Sequence, residues 1–326
     1  MDKQATIAIT GAAGFIASYL TGYLNRQGYE RILLVDDFGI PAKMPNLDGK
    51  KFSAQIDRGA FIEWCREHPG VIQHMFHLGA RTDTTEMDYE VHRKWNLEYS
   101  KDIWQICTEQ QIPLVYASSA ATYGAGEAGY SDEHESASRL KPLNPYGQSK
   151  QDFDVWALEQ SNTPPFWAGV KFFNVYGPNE YHKSRMASVI LHAHRQIKAG
   201  GGMKLFRSHN PNYTDGGQMR DFVYVKDVVQ MCVWLMNTHP ASGLYNVGSG
   251  KARTFYDLAK AIFAAMDVPA DISFVDTPAD IRDKYQYFTE ADMGKLQAAG
   301  YDIPSYTLEE GVREYVRDFL EKGTYF

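Results

Sequence analysis

Two side chains of this sequence are spaced to do acid–base chemistry together: Tyr146 and Lys150, in Asn144-Pro145-Tyr146-Gly147-Gln148-Ser149-Lys150. Proline suits the first position of a helix and Asn144 suits its cap, so a helix is expected to begin here. Four residues is about one helical turn, which puts the phenol and the ammonium on one face. A free tyrosine ionises near pH ~10 and is a poor base at neutrality. A fixed positive charge beside it favours the phenolate and is expected to lower that value. The result is an acceptor for the proton of a sugar or alcohol hydroxyl. Tyr-x-x-x-Lys also arises by chance on solvated helix faces, so its weight depends on the rest of the chain.

The elements that would place a reaction partner beside it begin at the N-terminus. Ala5–Thr10 is rich in β-branched and small residues and reads as a buried strand. It runs into Gly11-Ala12-Ala13-Gly14-Phe15-Ile16-Ala17-Ser18 and an amphipathic helix to about Gln27, with Gly28 as its stop. A second strand, Arg31–Val35, ends in Asp36-Asp37. In such a strand–turn–helix–strand–acid unit Gly11 permits the tight turn and Gly14 the close approach of a pyrophosphate. The helix N-terminus supplies amides and dipole to the phosphates. Ala17 stands where a third glycine is often found, and a single methyl is tolerated at that contact.

Further along, strands and helices alternate. Strands are expected at 52–56, 71–77, 114–118 and 166–172, and helices at 61–67, 89–110 and 145–160. This rhythm implies an α/β protein with a doubly wound parallel sheet that binds ligands at the carboxyl ends of its strands. After residue 173 the rhythm loosens into glycine- and asparagine-rich loops. A helix is expected at 187–198, strands at 222–225 and 244–247, and helices at 226–236, 255–266 and 308–320. The expected organisation is a dinucleotide domain, mainly 1–173, with a smaller mixed α/β substrate-binding lobe, mainly 174–326. The two are interwoven, with segments near 220–250 returning to the sheet.

The composition excludes several classes. At 326 residues with net charge −7 and interspersed signs, the chain has no basic surface for nucleic acid. No apolar run nears the ~18 residues of a membrane span, and the N-terminal residues lack a leader's basic and apolar regions, so a cytoplasmic protein is expected. Cys65, Cys107 and Cys232 are scattered and odd in number, which points to reduced thiols rather than disulfides or a zinc site. His192 and His194, two apart on a helix, point away from each other and make a poor metal pair. His74 and His77 read as core histidines, and no metal is expected. Gly200-Gly201-Gly202 and Gly248-Ser249-Gly250 read as turns rather than phosphate cradles.

Two strand ends converge on the expected cleft: Phe76-His77-Leu78-Gly79-Ala80 and Tyr116 through Gly124, in which a hydroxyl at Ser119 can hold a substrate oxygen beside Tyr146. With Thr10-Gly11-x-x-Gly14-x-x-Ala17, Ser119, Tyr146-x-x-x-Lys150 and Arg220-Asp221-Phe222-Val223-Tyr224-Val225 in that order, the chain resembles the extended short-chain dehydrogenase/reductases over essentially its whole length. That resemblance implies a Rossmann-type fold. Within the superfamily it is most similar to the ADP-L-glycero-D-manno-heptose 6-epimerase family. The likeness is carried by 116–124, Lys141-Pro142-Leu143-Asn144, Phe173-Asn174-Val175-Tyr176-Gly177-Pro178-Asn179-Glu180-Tyr181-His182-Lys183, Met186–Val189 and Tyr285-Gln286-x-Phe288-Thr289-x-Ala291-Asp292.

The resemblance implies a nucleotide-sugar epimerase that works by transient oxidation and re-reduction at C6″ with bound NADP, in a homo-oligomer. It gives acid–base roles to Tyr146 and Lys183, supported by Ser119 and Lys150. It gives NADP contacts to Gly11, Gly14, Phe15, Ile16, Asp36, Asp37, Lys43, Arg58, Leu78, Gly79, Ala80, Asn96, Lys150 and Val175. It gives nucleotide-sugar contacts to Asn174, Arg185, His192, Phe206, Arg207, Ser208, His209, Arg220 and Tyr285. On its residues alone Lys183 reads as a phosphate-binding or surface lysine. As a second base it suits a reaction whose ketone intermediate must turn over against a fixed nicotinamide, provided burial lowers its pKa.

The chain departs from the family at Ser184-Arg185, where a pair of small residues is usual, and at Phe206-Arg207-Ser208-His209, where Phe-Glu-Gly-Ser is usual. These departures bear on which nucleotide sugar is accepted. The alternatives are another NAD(P)-dependent sugar-nucleotide epimerase such as a 4-epimerase, a reductase, or a catalytically silent nucleotide sensor. A 4,6-dehydratase is disfavoured because Ala120-Ala121 stand where its acid pair would be. For the cofactor, Asp36 favours NAD by its usual bond to a ribose hydroxyl, whereas Lys43 and Arg58 could draw the 2′-phosphate that the resemblance implies.

Overall fold

A computed structural model describes residues 1–278, 282 and 286–326. Tyr285, expected to contact the sugar, lies outside the described residues. The centre is a seven-stranded sheet whose neighbours all pair in parallel. Its strands are β1 (Ile7–Thr10), β2 (Ile32–Asp36), β3 (Ala54–Asp57), β4 (His74–His77), β5 (Leu114–Ser119), β6 (Trp167–Phe172) and β10 (Gly243–Val247). They lie in the order β10-β6-β5-β4-β1-β2-β3. The order reverses between β1 and β4, and a crevice opens at such a switch point.

Every residue of β1, β2 and β5 is buried, because helices cover both faces and a parallel strand so placed reads as a continuous apolar run. Alternation then divides the core. Ile7, Ile9, Leu34, Val115 and Val170 pack on one side with the Phe15–Arg26 and Val225–Thr238 helices. Ala8, Leu33, Val35, Leu114 and Tyr116 pack on the other with Phe61, Trp104 and Phe153.

The second lobe is built from short pieces. β7 (Asn174–Tyr176) pairs in parallel with β9 (Met219–Tyr224), and β11 (Ala252–Thr254) lies antiparallel on its other edge. β8 (Met203–Phe206) pairs with β12 (Ile272–Val275). Three to six residues carry little periodicity, and β8, β11 and β12 give no clear signal in the sequence.

The helix expected unbroken over 89–110 instead starts at Tyr89–His92, widens through a π-turn at Arg93–Glu98, and continues as Tyr99–Glu109. Asn96 is the reason. It is fully buried in the widened turn, its amide donates to the Arg81 carbonyl at 3.0 Å and the Ser149 hydroxyl at 3.0 Å, and Ser100 donates to its carbonyl at 2.7 Å. Such bulges often mark functional sites. Among the described residues no helix is long and apolar enough to cross a membrane.

Candidate active site

The crevice holds a cleft of about 600 Å³ whose walls include Gly11, Gly14, Phe15, Asp36, Lys43, Arg58, Gly79, Trp95 and Lys183. Its floor is the glycine turn. Gly11 adopts φ 68°, and a Cβ there would lie 2.6 Å from the Gly79 Cα, while one on Gly14 would lie 2.9 Å from the Gly11 carbonyl. Side chains at either position would fill the cradle, which fits a dinucleotide's phosphates at the N-terminus of the Phe15–Arg26 helix.

At the ribose end the acids and bases are already engaged. Asp36 accepts from the Ala13 amide at 2.9 Å, from the Asp37 amide at 2.7 Å and from Lys43 at 3.0 Å. Its carboxylate thus braces the glycine turn and pairs with Lys43 while lining the cleft. Arg58 pairs with Asp37 at 3.2 Å and lies 4.1 Å over the Trp95 ring. Trp95 and Tyr99, which also line the cleft, escaped the sequence reading, because an aromatic on a helix reads first as core.

Tyr146 and Lys150 sit where the spacing places them. Asn144 caps the Pro145–Leu158 helix by accepting the Gly147 amide at 2.8 Å. Lys150 is buried and donates to the Ala117 carbonyl at 2.9 Å. Burial pulls its ammonium down to about 8, with Asp154 opposing. The expected lowering of the Tyr146 phenol is reversed: burial pushes it up, the Ser119 hydroxyl facing it pulls it down, and Asp154 pushes it up again. Lys150, its ammonium turned to the Ala117 carbonyl, does not offset that desolvation. Ser119 ends β5, accepts the Ala121 amide at 3.1 Å and caps the Ala120–Tyr123 turn. The His92 ring stands edge-on to Tyr146 at 6.2 Å.

Lys183 arrives from the second lobe on a 3-10 turn, Tyr181–Met186. Glu180, fully buried, anchors that turn by accepting the Ser188 amide and, at 2.6 Å, the Ser188 hydroxyl. The Lys183 ammonium lies 5.4 Å over the Phe15 ring, and burial lowers its pKa while Glu180 raises it. Asn46, also buried, ties the two halves together. Its amide donates to the Ala13 carbonyl at 2.9 Å and the Asn179 carbonyl at 3.0 Å, and meets His182 Nδ1 at 3.2 Å.

The remaining residues that the resemblance implies are spread over both lobes. Asn96 is wholly buried, holding the backbone of Arg81 behind the cleft wall. Arg185, expected at the sugar, reaches across the cleft mouth to the Thr85 hydroxyl and to Asp83 at 3.8 Å. Thr84 meets Met186 Sδ at 3.9 Å beside it. Phe206 ends β8; exposed Arg207 pairs with Asp276 at 3.7 Å and Asp215 at 3.9 Å. The Ser208 amide donates to Asp215, and that of His209 donates to the Tyr287 hydroxyl at 2.9 Å. Arg220 on β9 donates to the Met219 and Gln286 carbonyls. Asn174 is exposed and Val175 half-buried on β7, and His192 lies half-buried on the Val189–Lys198 helix. His194 faces away to Glu321 at 2.7 Å, and His77 is satisfied by Thr10 at 2.7 Å and Ser100 at 3.0 Å.

A glycine cradle at the sheet's switch point, beside a Ser–Tyr–Lys group whose serine and lysine are buried, defines a nucleotide-dependent α/β fold of the dehydrogenase/reductase type. The chain belongs to the NAD dependent epimerase/dehydratase family, whose model matches residues 7–248. It is 44% identical to an ADP-L-glycero-D-manno-heptose-6-epimerase of Fusobacterium nucleatum over 97% of this chain and 98% of that one. It is 46% identical to the protein of the same name from Nitratidesulfovibrio vulgaris, over 96% and 97%. The crystal structure of the Helicobacter pylori ADP-L-glycero-D-manno-heptose-6-epimerase superposes with a TM-score of 0.81 at 28% identity, covering 97% of each chain.

Proposed function

We propose that this protein is a nucleotide-sugar epimerase that converts ADP-D-glycero-D-manno-heptose to its L-glycero epimer by transient oxidation and re-reduction at C6″, with NADP held through turnover. The observation that carries the reading is that two half-buried groups suited to proton transfer come from opposite lobes: Tyr146 beside Ser119, and Lys183 over the glycine turn. The near full-length likeness at 44–46% identity supports the substrate. The first 173 residues serve mainly the dinucleotide and residues 174–326 mainly the sugar nucleotide, in a cytoplasmic homo-oligomer.

Bound nicotinamide supplies a hydride acceptor and then a hydride donor. Tyr146 takes the proton of the C6″ hydroxyl as the carbonyl forms, while the Ser119 hydroxyl holds that oxygen. Lys150 keeps positive charge at the phenolate. Inversion requires the opposite face of the ketone, so the intermediate turns before hydride returns. In the second pose Lys183, whose burial makes it a readier proton donor than an exposed lysine, protonates the new alkoxide. Lys43 and Arg58, paired with Asp36 and Asp37 at the ribose end, would supply the positive charge for a 2′-phosphate.

The test is NMR of the product after incubation with the heptose nucleotide and no added cofactor. Inverted C6″ is expected, with no net change in nicotinamide absorbance. Unchanged C6″ together with turnover of another nucleotide sugar would remove the substrate and leave the chemistry. Lys183→Met should slow epimerisation by roughly 100-fold and spare the oxidative half-reaction, since Tyr146 serves one pose. Mass spectrometry of released cofactor decides the phosphate, and recovery of NAD alone would overturn NADP.

A further inference from the structure

Behind the Tyr146–Lys150 dyad lies an ion pair with no part in the chemistry above. Asp154, one further turn along the same helix, and Lys171 on β6 are 0% and 1% exposed and meet at 2.6 Å. Asp154 also accepts the Ser118 hydroxyl at 2.6 Å and the Tyr116 hydroxyl at 3.1 Å. Lys171 donates to the Thr122 hydroxyl at 2.8 Å, and Thr122 donates to the Ser119 carbonyl at 2.8 Å. Residues 146, 150 and 154 share one helix face. The network thus joins that face to the strand end carrying Ser119. A buried ion pair contributes little net stability against an apolar replacement, so its placement calls for another account.

We propose that Asp154 and Lys171 are a positioning pair for the dyad: Asp154 supplies the negative charge that keeps Lys150 protonated, and Lys171 offsets that charge so that the Tyr146 phenolate can still form. Asp154 raises both the Lys150 ammonium and the Tyr146 phenol. From the surrounding elements His77 on β4 faces Lys150, the His92 ring faces Tyr146, and Tyr116 and Tyr123 face Asp154. Burial and Lys150 depress His77 to about 3, so it stays neutral as the dyad titrates. The inference rests on the acid–base reading of Tyr146 and Lys150, but not on the identity of the sugar.

The test follows phenolate absorbance in the near ultraviolet against pH in the cofactor-loaded protein, each variant referenced to the same variant carrying Tyr146→Phe. Asp154→Asn should move the Tyr146 ionisation to lower pH by roughly one unit, and Lys171→Met to higher pH by a smaller amount. Lys171→Arg should leave it in place. Because a lone buried charge can unfold the protein, the Asp154→Asn/Lys171→Met double variant provides a neutral core. It should shift the ionisation down by less than Asp154→Asn, since Asp154 shares the helix face of the dyad and Lys171 does not. Turnover should follow the same displacements along its acid limb. A purely structural pair would lower turnover or melting temperature without opposite shifts. Single variants that move the ionisation in one direction, or a double variant that keeps the parent's ionisation, overturn the proposal. If the parent fails to invert the heptose while the phenolate shifts appear, the substrate falls and the pair stands.

Discussion

The two groups proposed to transfer protons are held in opposite ways. Tyr146 and its support lie on a regular helix and a wholly buried strand, and every polar partner of Asp154 and Lys171 comes from packed secondary structure. Lys183 rides on a six-residue turn containing Ser184 at φ 49°, tied down by Glu180, Asn179 and Asn46. Facing it across the cleft, the 81–86 loop is joined to the turn by exposed Arg185. The comparison teaches a division of labour. The first base is fixed by packing, where displacement would break a buried network. The second is fixed by a few hydrogen bonds on a segment that can follow a substrate changing pose.

The largest effect should come from the packed side. Tyr146→Phe removes the phenol that accepts the first proton, and kcat should fall by about 1,000-fold while circular dichroism and bound cofactor persist. Near-parental turnover with a substrate the parent accepts would end the assignment of the dyad. A second effect is read from pH. Burial lowers Lys150 from the ordinary lysine value to about 8, so it is charged below that pH and loses its proton above it. Turnover should therefore decline on the alkaline side with an apparent pKa near 8, roughly tenfold for each further pH unit. A profile that stays flat into the ordinary lysine range would show that its charge is not needed. The smallest effect belongs to the side held by a few hydrogen bonds. The Arg185–Asp83 pair is exposed, and such pairs are worth under about 1 kcal/mol, so Arg185→Ala should speed cofactor release about two- to fivefold in stopped-flow displacement, with KM unchanged. A tenfold rise in KM would instead put Arg185 on the sugar nucleotide and sharpen the contrast between the lobes in the other direction.

Much of the packed side was legible in the sequence because its signals are local. A helix cap and a four-residue spacing place Tyr146 and Lys150 on one face, and a glycine turn between apolar strands announces a phosphate cradle. These features depend on neighbours within one turn of chain. Asp154 and Lys171 carry no such signal, because 17 residues separate partners that meet only when the Pro145–Leu158 helix packs on β5 and β5 pairs with β6.

The second lobe shows the same limit. Lys183 was found through likeness to a family and not through spacing. Its closeness to Phe15 depends on Asn46 and Asn179, 133 residues apart in sequence, meeting at one amide. Arg185 and Arg207 were placed at the sugar by likeness to a family, and the structure gives them carboxylate partners on loops that no periodicity predicts. The sequence by itself determined the alternation of strands and helices, the cradle and the Tyr146–Lys150 spacing, since strand burial, backbone freedom at glycine and helical spacing are properties of short segments. Only the tertiary structure decided the sign of the Tyr146 shift, the bracing role of Asp36 and the company of each surface charge. Desolvation and Coulomb interaction depend on distances through space, and the chain does not encode those locally.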